Sequence, residues 1–192
     1  MSSVYKTIKS FFNYLNNEKC LPVGQFHKQF KLPSQKYLPI VLSPHQLKYL
    51  ITNKPFEESL PVNLKRTKDI FAFGCIVGLR YSDLMKIKKQ DIAPTESGWE
   101  IKINTRKTST EVSIPLPDYA VTIIKKYKKK SGMYVLPQLS GTNLNLQIKS
   151  IIERVGWTHT LPKIRHRQGI PYEVKTTKGN SYRFCDHITT HT

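Results

Sequence analysis

The segment Gly78-Leu79-Arg80-Tyr81-Ser82-Asp83-Leu84 places one arginine where an apolar run gives way to a polar helix start. From Ile70 to Leu79 the chain is apolar nearly all round, the pattern of a buried helix. The run is too short to cross a bilayer. Gly78 suits the stop of that helix, and Ser82 is placed to cap a following one through Asp83, Leu84, Met85, Lys86 and Ile87. An arginine fixed in such a corner can present its planar guanidinium fork to two phosphate oxygens. The same spacing suits an interhelical ion pair between Arg80 and Asp83, and the motif alone leaves both readings open.

Other elements must carry the remaining polar groups. Val4, Ile8, Phe11, Phe12 and Leu15 form an apolar stripe on an amphipathic first helix, which is unlike a secretory signal. Residues from Cys20 to Val41, with Pro22, Gly24, Pro33 and Pro39, read as an extended linker. Ser43-Pro44 opens a helix with Leu47, Leu50 and Ile51 on its buried face. A second runs from about Leu64 to Leu79. Alternation over Gly98–Thr105 and Glu111–Leu116 predicts a β-hairpin with Lys107 at its tip. Helices follow from Asp118, with Val121, Ile124 and Tyr127 on one face, and from Ser140 through Val155. Residues from Leu161 to Phe184 read as a strongly basic second hairpin turning at Lys178-Gly179-Asn180, and they carry Lys163, Arg165, Arg167, Lys175, Lys178 and Arg183.

Charge narrows the partners. With 31 Lys+Arg against 13 Asp+Glu, the 192-residue chain has a formal charge of +18. So large an excess repels itself in the compact state unless something anionic offsets it, and a polyphosphate backbone is the natural offset. A membrane surface fits less well, because the lysines are dispersed and no lipidation signal is present. Cys20, Cys75 and Cys185 are far apart and lack the spacing of a zinc or redox site, so free thiols in a reducing, cytoplasmic compartment are expected. No carboxylate cluster suggests a metal, and no cofactor is implied.

The order of a buried helix ending in Gly-Leu-Arg-x-Ser-Asp-Leu, a hairpin tip Thr105-Arg106-Lys107-Thr108, and then Ile188-Thr189-Thr190-His191-Thr192 resembles the catalytic domain of tyrosine recombinases. More narrowly it is similar to the integrases of bacterial phages and mobile elements. The resemblance covers about residues 38–192. It implies that Arg80 binds nonbridging oxygens of a scissile phosphate and that Asp83 buttresses the site. It further implies that Lys107 protonates the leaving 5′-hydroxyl oxygen, and that His191 is the histidine of an H-x-x-R box. That box's arginine, a following His or Trp and the nucleophilic tyrosine are expected beyond Thr192. Tyr172 and Tyr182 precede His191, against the family's order, and fit as strand residues.

Physical chemistry supports these roles independently. Charge gathers on the equatorial oxygens of a phosphodiester attacked in line, and fixed cationic donors meet it without reorganising. Cations near Lys107, including Arg106, favour its giving up a proton to a leaving alkoxide. Each residue also has a plainer reading: Asp83 as a first-turn helix acid, Lys107 as a solvated turn lysine.

The expected architecture is therefore mixed α and β, mainly helical, with a small β-hairpin sheet, truncated before the last helices of a tyrosine-recombinase-like catalytic domain. Residues 1–19 are expected to be the last helix of a DNA-clamping arm, 20–37 a linker and 38–192 the incomplete catalytic domain. Double-stranded DNA is the expected partner, contacted by Arg106 and the basic residues of the second hairpin. The full-length protein is expected to work as a homo-tetramer, the present chain to bind DNA without forming a covalent adduct. Two other classes are a helix-turn-helix regulator built around Gly78–Asp91 and a basic RNA-associated module.

Overall fold

The structure is a computed structural model that describes residues 2–29, 40–96, 98–105, 110–167 and 170–189. The chain divides into two compact units, one of residues 1–38 with 164–174, the other of 39–163 with 175–192.

In the first unit, α1 (Ser2–Asn17) is the amphipathic helix expected from its apolar stripe. Residues 26–29 form a 3-10 turn against it instead of extended linker. The reason is aromatic: Phe26 meets Phe12 edge-on at 4.8 Å, and His27, fully buried, stacks on Phe12 and holds Asn13 Oδ1 at 2.9 Å. Strands β4 (Lys163–Arg167) and β5 (Ile170–Val174) pair into a two-stranded ribbon. The ribbon is therefore shorter than the sequence suggested. Lys178-Gly179-Asn180 does turn, through Gly179 N–H to the Thr176 carbonyl, but beyond the strands, so Tyr182 is not a strand residue.

The second unit begins with α2 (Pro44–Thr52), closed at its start by a reciprocal pair: Gln46 N–H donates to Ser43 Oγ at 3.2 Å and Ser43 N–H to Gln46 Oε1 at 2.8 Å. A short α3 (Lys54–Ser59) follows, capped by Asn53. Helix α4 (Val62–Val77) is buried on all sides from Thr67 to Phe73, so the burial begins earlier than the apolar run from Ile70 and ends before Cys75, which is exposed. Next come α5 (Tyr81–Leu84), a 3-10 turn at Lys89–Asp91, and strands β1 (Ile92–Thr95), β2 (Gly98–Asn104) and β3 (Glu111–Leu116). These form an antiparallel sheet in the order β1-β2-β3, with Ile92, Ile101 and Ile114 in register. Ile101 is fully buried in the core. Helix α6 (Asp118–Tyr127) leaves β3, and α7 (Gly141–Val155), capped by Ser140, lies against α4. The single-turn α8 (Phe184–His187) lies against α7. Among the described residues no helix is long and apolar enough to cross a membrane.

Candidate phosphate-binding corner

Arg80 sits where α4 must stop and the chain must turn. Gly78 makes the stop with φ +64°, a left-handed conformation that a side chain would strain, and its N–H closes on the Gly74 carbonyl at 3.0 Å. Arg80 is then extended (φ −61°, ψ 147°), and its carbonyl accepts from Asp83 N–H at 2.9 Å and Leu84 N–H at 2.8 Å. The helix thus begins two residues earlier than expected, at Tyr81 instead of Asp83. Arg80 holds the N-cap position assigned to Ser82 on sequence grounds, and the backbone carbonyl does the capping.

Three clamps fix this corner to residues 135–139. The Tyr81 hydroxyl donates to the Leu139 carbonyl, Gln138 Nε2 to the Met85 carbonyl at 2.9 Å, and Val135 N–H to the Ile87 carbonyl at 2.9 Å. Burial raises the Tyr81 pKa, which keeps that hydroxyl a donor. On the other side, α5 approaches α4 so closely that a Cβ on Gly74 would lie 3.0 Å from Leu84 Cδ2.

Within this rigid surround the Arg80 side chain is exposed, and among the described residues it makes no ion pair with Asp83 or any other acid within 4.0 Å. Asp83 is buried, 5% exposed, and its Oδ1 has no hydrogen-bond partner. The interhelical ion pair that the spacing allowed is not formed. Asp83 lines a cleft of about 230 Å³ together with Lys86, Asp91, Lys102, Asn104 and Glu111. Asn104 and Glu111 are the last and first residues of β2 and β3, so the base of the hairpin tip opens into the cleft that Asp83 lines. Lys107, Arg106 and His191 lie outside the described residues.

The other basic positions differ among themselves. Arg165 on β4, Lys175 and Lys178 are exposed. Lys163 lies over the Tyr182 ring at 4.5 Å. Arg183 is engaged internally, 2.5 Å from Glu153 Oε1 and 3.6 Å from Asp186 Oδ2. Arg167 falls on β4, with its side chain outside the described set.

A second charged cluster was missed by reading the sequence. Lys68, 1% exposed, lies 2.8 Å from Glu57 Oε2 and 3.5 Å from Asp69 Oδ1, while Lys126 reaches Glu57 at 3.0 Å and Asp69 at 2.6 Å. The Tyr127 hydroxyl donates to Asp69 Oδ2 at 2.8 Å. Two ammoniums face two carboxylates, and together they tie α3, α4 and α6. The one available signal was a Lys-Asp pair at the edge of an otherwise apolar helix.

The three-stranded sheet, its flanking helices and the arginine corner after a buried helix make this a mixed α/β fold of the tyrosine-recombinase type. Two solved structures of the XerH site-specific recombinase are similar to it. The pre-cleavage complex bound to difH substrate has a TM-score of 0.51 at 15% identity, covering 63% of this chain and 38% of that one. The post-cleavage complex with palindromic difH substrate has a TM-score of 0.51 at 16% identity, covering 66% of this chain and 38% of that one. The chain thus spans well under half the length of the recombinase chains it matches. At that identity the likeness is one of fold. No known protein family's sequence profile matches the chain, and no curated protein matches it.

Proposed function

We propose that this chain is the DNA-holding part of a site-specific tyrosine recombinase whose parent protein integrates or excises a mobile element by phosphotyrosine strand exchange. In this reading residues 1–19 end a DNA-clamping arm, 20–37 are its linker and 38–192 belong to the catalytic domain. Arg80 grips nonbridging oxygens of the scissile phosphate, and Asp83 buttresses the site. Lys107 protonates the leaving 5′-hydroxyl oxygen, and His191 joins the phosphate site. The partner is duplex DNA and the working assembly is a homo-tetramer on two duplexes.

The observation that carries the proposal is Arg80 itself: an exposed guanidinium without a carboxylate partner among the described residues, carried on a backbone corner clamped by residues 135–139, in a fold shared with recombinases bound to DNA. A fixed donor of this kind needs little reorganisation when charge develops on a phosphate. The cleft that Asp83 shares with the base of the Lys107 hairpin brings that hairpin to the helix that follows Arg80, although Arg80 itself does not line it. The four-residue α5 also argues for a phosphate contact over a helix-turn-helix reader, which needs a longer helix to lie in the major groove.

The test is duplex DNA affinity across a salt series. Arg80→Ala is expected to flatten the slope of log K against log salt by about 0.9, the contribution of one phosphate contact. In the full-length recombinase it is expected to slow strand cleavage by about 10²–10³-fold. An unchanged slope together with an unchanged cleavage rate would sink the assignment.

A further inference from the structure

A groove away from the Arg80 corner has a different chemistry. It is lined by Ile92 of β1, Trp99 of β2, Val121 and Ile124 of α6, and Val135, and it encloses about 290 Å³. Trp99 is 42% exposed although it shares a sheet face with the fully buried Ile101. The cause is position: Trp99 lies one residue from the start of β2, opposite Leu116 and Pro94. The groove is therefore a place where the core face of the sheet reaches solvent unfinished.

Its rim is cationic. Lys89, Lys125 and Lys128 line the same groove. Lys89 is pinned, donating to the Lys128 carbonyl at 2.5 Å and to the Gly132 carbonyl. Lys125 and Lys128 are exposed, and among the described residues neither side chain forms an ion pair. Four of the five apolar residues are aliphatic, so a base stacked on Trp99 would leave most of the groove unfilled, and a phosphate backbone cannot fill an apolar cavity. A second copy of this chain, with a formal charge of +18, complements this lysine rim less well than an acidic partner does.

We propose that this groove docks an acidic amphipathic helix of another protein. One or two large apolar side chains of the Leu or Phe kind fill the space beside Trp99. Carboxylates one helical turn apart on the partner meet Lys125 and Lys128, which stand one turn apart at the end of α6. This is helix-in-groove recognition, with an apolar anchor supplying affinity and the charged rim supplying orientation.

The test uses the full chain, saturated with duplex DNA, and a fluorescein-labelled peptide repeating Glu-Glu-Leu-Phe-Glu-Glu-Leu. A scrambled peptide of the same composition that lacks an apolar face is the control. Fluorescence anisotropy is expected to show the amphipathic peptide binding about tenfold or more tighter than the scrambled one. Ile124→Glu and the exposed-site double variant Lys125→Glu/Lys128→Glu should each weaken it by a similar factor, and the second needs no change in the core. In a Trp157→Phe background the emission of Trp99 should shift to the blue on binding. Equal affinity for the scrambled peptide, loss of peptide binding once the chain is saturated with duplex DNA, indifference to both groove variants, or dimerisation of the free chain through this face would each overturn the proposal.

Discussion

Removing the ammonium of Lys68 should destabilise the second unit far more than its surface lysines would suggest. Lys68→Met keeps most of the stem but leaves Glu57, Asp69 and Lys126 with one uncompensated negative charge. Asp69 is 4% exposed on its side chain, so water cannot replace the lost cation there. Glu57 is 29% exposed and partly can. Breaking a buried ion pair from one side costs about 3–5 kcal/mol, and the wetter Glu57 places this case near about 3 kcal/mol. That is a large share of a typical stability of about 5–15 kcal/mol. The double variant Lys68→Met/Glu57→Gln restores neutrality and should recover about 1–2 kcal/mol of the loss.

Urea unfolding followed by circular dichroism measures both variants, and acid titration adds an independent readout. Burial opposes ionisation of Glu57, but the hydrogen bonds and charges of Lys68 and Lys126 outweigh it, so the pKa lies below the ordinary 4.5. A carboxylate depressed in the folded state contributes stability above its unfolded pKa and loses it as pH falls through the folded value. Lys68→Met removes part of that depression, so the variant should lose less stability between neutral and acid pH than the parent does, and the gap between them should narrow as pH falls. A variant within about 1 kcal/mol of the parent at neutral pH, with the same loss of stability on acidification, would refute the claim that this cluster joins α3, α4 and α6.

Two further outcomes follow from local geometry. Gly78→Ala meets no atom within 4 Å, so its cost is backbone strain alone at φ +64°, about 1–2 kcal/mol in chemical denaturation. His187 is held below its ordinary pKa of 6.5 first by burial and further by Lys163. A folded pKa lowered in this way leaves stability intact above the unfolded value and erodes it as pH falls below. Melting temperature should therefore drop as pH falls below the ordinary 6.5, and His187→Gln should flatten that drop.

The parts that sequence reading anticipated are those with local signals. Ser43-Pro44 and Ser140 start helices where they stand, Gly78 ends one, and alternation fixes β2 and β3. β1 was not anticipated because Pro94 argues against a strand, yet β1 is an edge strand, where a missing N–H costs no ladder bond. The 3-10 turn at Phe26–Gln29 was hidden by its linker-like composition, since its cause is a stack on Phe12 across the bend. Lys68 and Asp69 look like solvated charges because their partners lie elsewhere in the chain, Lys126 among them. The Glu57–Lys126 pairing has no local signature at all. Among the site residues, the corner around Arg80 was legible as a corner. The clamps from Val135, Gln138 and Leu139 were not, because a carbonyl acceptor leaves no mark on residue type.

A comparison inside the molecule resolves what the spacing of Arg80 and Asp83 left open. Arg183 and Asp186 repeat that i, i+3 spacing, and Arg183 likewise stands extended at the N-cap of a single-turn helix. There the aspartate turns back: Arg183 N–H donates to Asp186 Oδ2 at 3.1 Å, and Glu153 completes the neutralisation of the guanidinium. At Arg80 the aspartate points inward, with Oδ1 buried and unpartnered, and no glutamate approaches among the described residues. The same local pattern thus yields one arginine used to join α7 to α8 and one whose charge stays unspent. The Arg80 side chain makes no capping bond to α5, whose first turn closes on its backbone carbonyl. A free cation on a corner clamped from two sides is what binding an external anion requires.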